Sequence, residues 1–414
     1  SWTDMSTGKI NLQKISNNSI EELFEMITRI EPEEIIISDV QEKILKLDSK
    51  FSQFLNKFSN IHEDFFDPKS NKEKVNKFFG TSFFSKQELI EDSDISAIGA
   101  LINYLELTQK QNIPLIKEFE IVKKEEFMQI DNSSERSLEI FKTVNGDKKN
   151  TLLDVIDKTK TAAGGRLLKD FLKSPLIEKK KISERHSLIQ EFLDNQKLIP
   201  DIISILTGQP DAERAISRIT AKTNNPRDLL LIKNFLNNAE KIFLKINELK
   251  SNNAKKFLLP DNNLIKKAKE LETVITKNIE DSPPISLNEG GVIKKGVSKE
   301  LDYLRNIKNE KQNEILKMQL KYSSLTQVSN LKIKFNNIHG YFIEVTNKNS
   351  DKIINSKEVK FYLVQNTVNN SRFQTNELRE ASDQILSAEE DAIILEKKLY
   401  REICNLFDSH TNNI

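Results

Sequence analysis

Two long stretches of helical period flank a short region of period two, and that alternation organises the chain. Leu301, Leu304, Ile307, Ile315, Met318 and Tyr322 recur at three- and four-residue steps, with charge on the other faces. Ile385, Ala388, Ala392, Leu395, Leu399, Ile403 and Leu406 repeat the pattern further on. Between them Leu331, Ile333 and Phe335 alternate with Lys332 and Lys334, and Tyr341, Ile343 and Val345 alternate with Phe342, Glu344 and Thr346. The pattern predicts an outbound helix, a compact β insert and a return helix, the two helices pairing along narrow apolar seams. Roughly 25 residues at about 1.5 Å each make an arm of about 40 Å, with the insert at its tip. A tip held so far out is suited to reach something large.

Upstream, residues 1–120 read as α/β. Trp2–Ser6 and Lys9–Ile15 form a hairpin about Thr7-Gly8, Ile20–Ile30 a helix, Ile35–Ser38 a buried strand, and Ile95–Gln109 a helix with Ile98, Leu101, Ile102 and Leu105 on one face. From Met128 to Lys277 the reading is almost all helix. Asp131-Asn132-Ser133-Ser134 is cap chemistry, Thr161 caps the helix that Pro175 ends, and Pro226 opens another. Gly164-Gly165 inside a helix costs about 1 kcal/mol per residue relative to Ala, which a close crossing with a neighbouring helix would offset.

Composition bounds the rest. The 414 residues carry 63 Lys plus Arg against 62 Asp plus Glu, so any nucleic-acid-binding surface must be local. One cysteine, Cys404, excludes an internal disulfide and fits a reducing cytoplasm. No apolar run is long enough to cross a bilayer. The opening at Ser1 without an initiator Met reads as a cut from something longer. Gly291-Val292-Ile293-Lys294-Lys295-Gly296-Val297-Ser298 has the two-glycine spacing of a phosphate loop but lacks the lysine after the second glycine; it reads as a turn into the long helix. His62, His186, His339 and His410 are scattered without metal-like spacing, and Cys404 reads as a packing residue in its helix stripe. Glu389-Glu390-Asp391 reads as solvating charge. No catalytic constellation emerges.

The tip holds the remaining candidates. Ile338-His339-Gly340-Tyr341 is a tight turn into a strand, and Gln365 through Phe373 reads as a strand–helix junction running into the return helix. Gln365, Asn366, Asn369 and Arg372 are donor types that hold phosphate oxygens without reading bases. Lys332 and Lys334 share one face of their strand and could extend a phosphate track. The same residues equally suit a structural role, the amides capping turns and Arg372 pairing with an acid on its own helix.

His339-Gly340-Tyr341-Phe342-Ile343-Glu344-Val345, Gln365 through Arg379, and Leu152 through Leu168 resemble segments of the DNA mismatch-repair MutS family. Asp131 to Glu139, Asp211 to Ile219, Pro226 to Leu229, Gly290 to Arg305 and the opening Asp4 to Gly8 fit in the same order, so the resemblance spans essentially the whole chain. It implies a multidomain, mainly α architecture: an α/β, RNase H-like connector over 1–120, a helical core over 121–297, an outbound lever helix over 298–324, a β clamp over 325–377 and a return lever over 378–414.

By the same resemblance, the partners are double-stranded DNA, a second MutS subunit in a homodimer, and MutL, in the bacterial cytoplasm at the nucleoid and with no membrane. Gln365, Asn366, Asn369, Arg372, Lys332, Lys334 and Lys348 become the DNA-facing candidates. The family usually has Thr at position 366 and Lys at 368, where this chain has Asn366 and Val368. That loss weakens the phosphate grip, with Lys332 or Lys348 to compensate, and Ser371 in place of the usual acid offsets part of it. The mismatch-reading and ATPase segments have no counterpart here, so the expectation is no catalysis and no cofactor in this chain, ATP and Mg belonging to the missing ATPase domain. The alternatives are a relative acting in recombination without mismatch reading and, more remotely, a coiled-coil scaffold.

Overall fold

A computed structural model describes residues 1–6, 8–15, 19–79, 91–109, 118–122, 126–336 and 338–411. They form two compact units, one of Ser1–Thr273 with the chain end from Phe407, the other Val274–Leu406.

In the first unit, β1 (Trp2–Asp4) and β2 (Lys9–Leu12) pair antiparallel, as the opening pattern predicts; Thr7, the expected turn residue, lies outside the described residues. β5 (Glu118–Ile121) joins the other edge of β2 in parallel. Ile10 and Leu12 of β2 pack with Val75 and with Ile98, Ile102 and Leu105, the apolar face of the Asp92–Gln109 helix. Ser19 caps the helix Ile20–Ile30 by accepting from the Glu22 N–H. β3 (Ile35–Ser38) pairs in parallel with β4 (Phe58–Ile61), over a cluster in which Phe24 and Phe51 meet edge-to-face at 5.6 Å.

From Asn132 to Asn278 every described element is an α-helix. Asp131, Thr161 and Asn225 each cap a helix start, and Pro226 occupies the first turn of the Pro226–Asn247 helix. Gly164 and Gly165 do not serve a crossing with a neighbouring helix. A Cβ on Gly164 would lie 2.9 Å from the Thr161 hydroxyl, and one on Gly165 would lie 3.4 Å from that of Thr159. The glycines make room for the loop that caps their own helix, a local constraint that periodicity cannot distinguish from a tertiary one. The same helix carries Arg166, which grips Asp211 with two bonds of 2.7 and 3.0 Å and holds that carboxyl below the usual range.

In the second unit the outbound helix is Lys299–Thr326 and the return helix begins at Asn376. Tyr322 meets Thr375, Lys308 meets Glu389 and Arg305 meets Glu396, so contacts advance in opposite directions along the two helices, which are therefore antiparallel. The 28 residues of the outbound helix span about 42 Å at about 1.5 Å each. Glu389 belongs to this pairing through a 2.7 Å bridge to Lys308 rather than only solvating the surface.

The two-glycine stretch is a turn leading to the Ser298 cap, as its missing lysine predicts. Its backbone N–H groups have an anion of their own. Glu396, 2 % exposed, accepts from Gly291 at 2.8 Å and from Val292 and Ile293 at 3.0 Å, and is paired with Arg305. Arg305 also donates to the Ile293 carbonyl at 2.9 Å. Truncation to Glu396→Ala strands three donors and a guanidinium, an expected loss of about 3–5 kcal/mol in urea unfolding. A loss under about 1 kcal/mol would mean the carboxylate is replaceable by water.

Candidate nucleic-acid interface

Four strands in the order β6-β7-β9-β8 make the insert: β6 (Lys332–Asn336), β7 (Gly340–Thr346), β8 (Tyr362–Asn366) and β9 (Asn370–Gln374), all antiparallel. Period two decides their faces. Ile343, Val345 and Phe373 enter one core with Ile315, Met318 and Tyr322 of the outbound helix and Leu378, Ala381 and Ile385 of the return helix. Gly340 is held at φ 65°, and a Cβ there would lie 2.5 Å from the Ser382 hydroxyl, which also accepts from the Tyr341 N–H at 3.2 Å. The sheet is thus seated directly on both helices.

Tyr322 fixes the seat. It is fully buried, its ring meets Phe361 edge-to-face at 5.5 Å, and its hydroxyl lies 2.9 Å from that of Thr375 and 3.1 Å from Glu377. Burial pushes the phenol up to about 12 from 10.0. Because the folded value is raised, this contribution is intact below pH 10 and is lost as pH rises toward 12. Tyr322→Phe is expected to cost about 1 kcal/mol at neutral pH and to lack that alkaline component in a stability–pH titration. Parallel alkaline limbs for both proteins would contradict the assignment.

The opposite face of the sheet is polar, and it collects most of the predicted residues. Lys332 stands opposite Glu344 in register, Glu344 opposite Arg372, and Arg372 opposite Gln365 beyond a register shift after Leu363. Glu344 accepts from Lys334 Nζ at 2.6 Å and from Arg372 Nε at 3.2 Å. Arg372 Nη1 donates to Gln365 Oε1 at 2.7 Å, and its guanidinium lies 4.7 Å from the centre of the buried Phe342 ring. Lys334, followed by Arg372, holds the Glu344 carboxyl below its usual range, so it is charged at neutral pH. Lys332 is exposed, with no ion pair among the described residues.

Two expectations need correction. Gln365 to Phe373 is not a strand–helix junction but a hairpin, β8 and β9 joined by a turn. Arg372 does pair with an acid, yet the acid is Glu344 on the neighbouring strand rather than one on its own helix. Asn366 falls on the other face, in register with Ser371, while remaining exposed.

Asn369 lies in the hairpin turn, exposed, beside Val368, which is 94 % exposed. Asn347 staples that turn by donating to the Thr367 and Val368 carbonyls at 3.2 and 2.9 Å, and its Oδ1 accepts from Ser371 at 2.9 Å. Lys348 is exposed next to it. Composition alone does not expose the roles of Asn347 and Glu344; the strand register that aligns Glu344 with Arg372 could have flagged the second. Residues 327–375 carry seven Lys or Arg and three acids in a chain whose net charge is only +1. Positive charge is therefore concentrated on this insert.

Elsewhere, no group of three or more His, Cys, Asp or Glu side chains among the described residues could hold a metal ion. The side chain of His410 lies outside those residues, and Cys404 is buried. No described helix is long and apolar enough to cross a membrane.

A tip sheet on antiparallel helices, following a helical region and an α/β region, is the architecture of a multidomain protein of the class the sequence resembles. MutS domain III matches residues 133–414 and MutS domain II matches residues 1–117. The chain belongs to the MutS family. DNA mismatch repair protein MutS of Rickettsia rickettsii (strain Sheila Smith) is 33% identical over 412 residues, 98% of this chain and 45% of the relative. The protein of the same name from Rickettsia typhi (strain ATCC VR-144 / Wilmington) is 32% identical over 403 residues, 97% of this chain and 45% of the relative. The chain thus spans about half the length of the curated relatives it matches.

Proposed function

We propose that this chain is the DNA-clamping and coupling part of a mismatch-repair MutS. In this reading the outer face and hairpin turn of the insert rest on the sugar-phosphate backbone of duplex DNA. The observation that carries it is the concentration of Lys332, Lys334, Arg372 and Gln365 on the one sheet face turned away from the helices, with Asn369 and Lys348 at the free turn. These groups neutralise phosphates and offer amide donors, the chemistry that positions a protein on the backbone. Mismatch reading, ATP hydrolysis with Mg, pairing with a second subunit and recruitment of MutL belong, on this reading, to the full-length protein in the cytoplasm. A scaffold role would give the exposed Lys332 and Lys348 beside that face, neither ion-paired among the described residues, no anion to meet.

Binding of the isolated chain to a matched duplex is expected to weaken steeply between 50 and 200 mM salt, by roughly tenfold or more for two to three phosphate contacts. Arg372→Ala and Asn369→Ala should lower affinity equally for matched and mismatched duplex. Salt-independent binding, or a loss confined to mismatched DNA, would overturn the reading.

Val368→Lys tests the exposed turn directly. It should tighten binding several-fold at low salt and steepen the log–log salt slope by about 1. An unchanged slope would place the turn away from the DNA.

A further inference from the structure

Glu344 occupies the position, relative to the two cations, that a phosphate would take. Its carboxylate bridges Lys334 Nζ at 2.6 Å and Arg372 Nε at 3.2 Å, and the strand register places all three on the outer face. The side chain is only 11 % exposed, so the bridge is protected from solvent screening better than a surface pair. Arg372 spends two of its five donors internally, one on Glu344 and one on Gln365, and its side chain is 25 % exposed. A bare turn of lysines would meet DNA without such competition.

We propose that Glu344 is a tethered competitor of the DNA phosphate, which occupies the Lys334–Arg372 anion site in the free protein and sets how tightly the clamp grips. This rests on the clamp reading above and specifies how that site is regulated. When the duplex arrives, a phosphate oxygen must share or replace the carboxylate on Arg372 and Lys334, and the unpaired negative charge of Glu344 then opposes binding. The result is a grip that stays weak enough to release, with Phe342 and Gln365 keeping the guanidinium in place while its anion changes. Removing the carboxylate therefore adds one net positive charge to the face without removing a donor.

The test uses the full 414-residue chain and a fluorescein-labelled matched duplex, comparing wild type, Glu344→Gln, Arg372→Ala and the double variant across salt concentrations. Glu344→Gln is expected to tighten binding by about five- to tenfold at low salt and to steepen the salt slope by about 1. The gain should shrink in the Arg372→Ala background, because half of the freed site is gone. If Glu344→Gln weakens binding as Arg372→Ala does, Glu344 only positions the arginine and the inference is overturned; an unchanged affinity overturns it as well. Absence of binding by both wild type and Glu344→Gln removes the clamp reading and this inference together. Should the variant not fold, NMR of the wild-type Arg372 Nε–H decides. Adding duplex should shift that signal as the guanidinium changes partner, and an unmoved signal counts against the exchange.

Discussion

The seating of one sheet face on the ends of two antiparallel helices is the interaction on which the rest depends. Ile343, Val345 and Phe373 share a core with Ile315, Met318, Tyr322, Leu378, Ala381 and Ile385, so the sheet cannot turn over without exposing that core. Because strand side chains alternate, burying this set obliges Lys332, Lys334, Glu344 and Arg372 to face outward. The polar face is a consequence of the apolar one. Tyr322 and Thr375 tie the two helices together just beneath it.

Further down the same pair of helices, a single buried carboxylate does comparable work. Glu396 gathers three backbone N–H groups of the Gly291–Ile293 turn and the Arg305 guanidinium, joining the return helix to the entry of the outbound one. A glycine-bearing turn that presents N–H groups has the makings of an anion site. Here the anion is a side chain of the same unit, which explains why a sequence with phosphate-loop spacing serves as a structural latch. Glu344 shows the same logic at the tip, as a less deeply buried carboxylate held between two cations.

Much of this was legible in the sequence, for physical reasons. The helix Ile20–Ile30, the strand Ile35–Ser38, the cap residues Asp131 and Thr161 and the helix-opening Pro226 follow from local rules: burial period, cap chemistry and proline geometry. Period two placed Lys332 and Lys334 on one face. What local pattern could not supply was pairing. The β8–β9 hairpin hides in a polar run, since Gln365 to Arg372 has little apolar alternation to betray two strands. The Arg372–Glu344 and Arg305–Glu396 partners lie 28 and 91 residues apart, and an acid's partner at such separation depends on register or helix docking. Gly164 and Gly165 failed in the opposite direction, being assigned a distant neighbour when their constraint was the preceding loop.

The most direct test of the central claim asks which part of the second unit touches DNA. A photo-crosslinker attached at Asn369→Cys, at the free turn, is compared with one at Leu320→Cys on the exposed side of the outbound helix, the native Cys404 being buried. The account predicts efficient crosslinks from position 369 to a duplex of any sequence, abolished by high salt, and few from position 320. Crosslinks from 320 with none from 369 would place DNA against the arm instead of the sheet and contradict it.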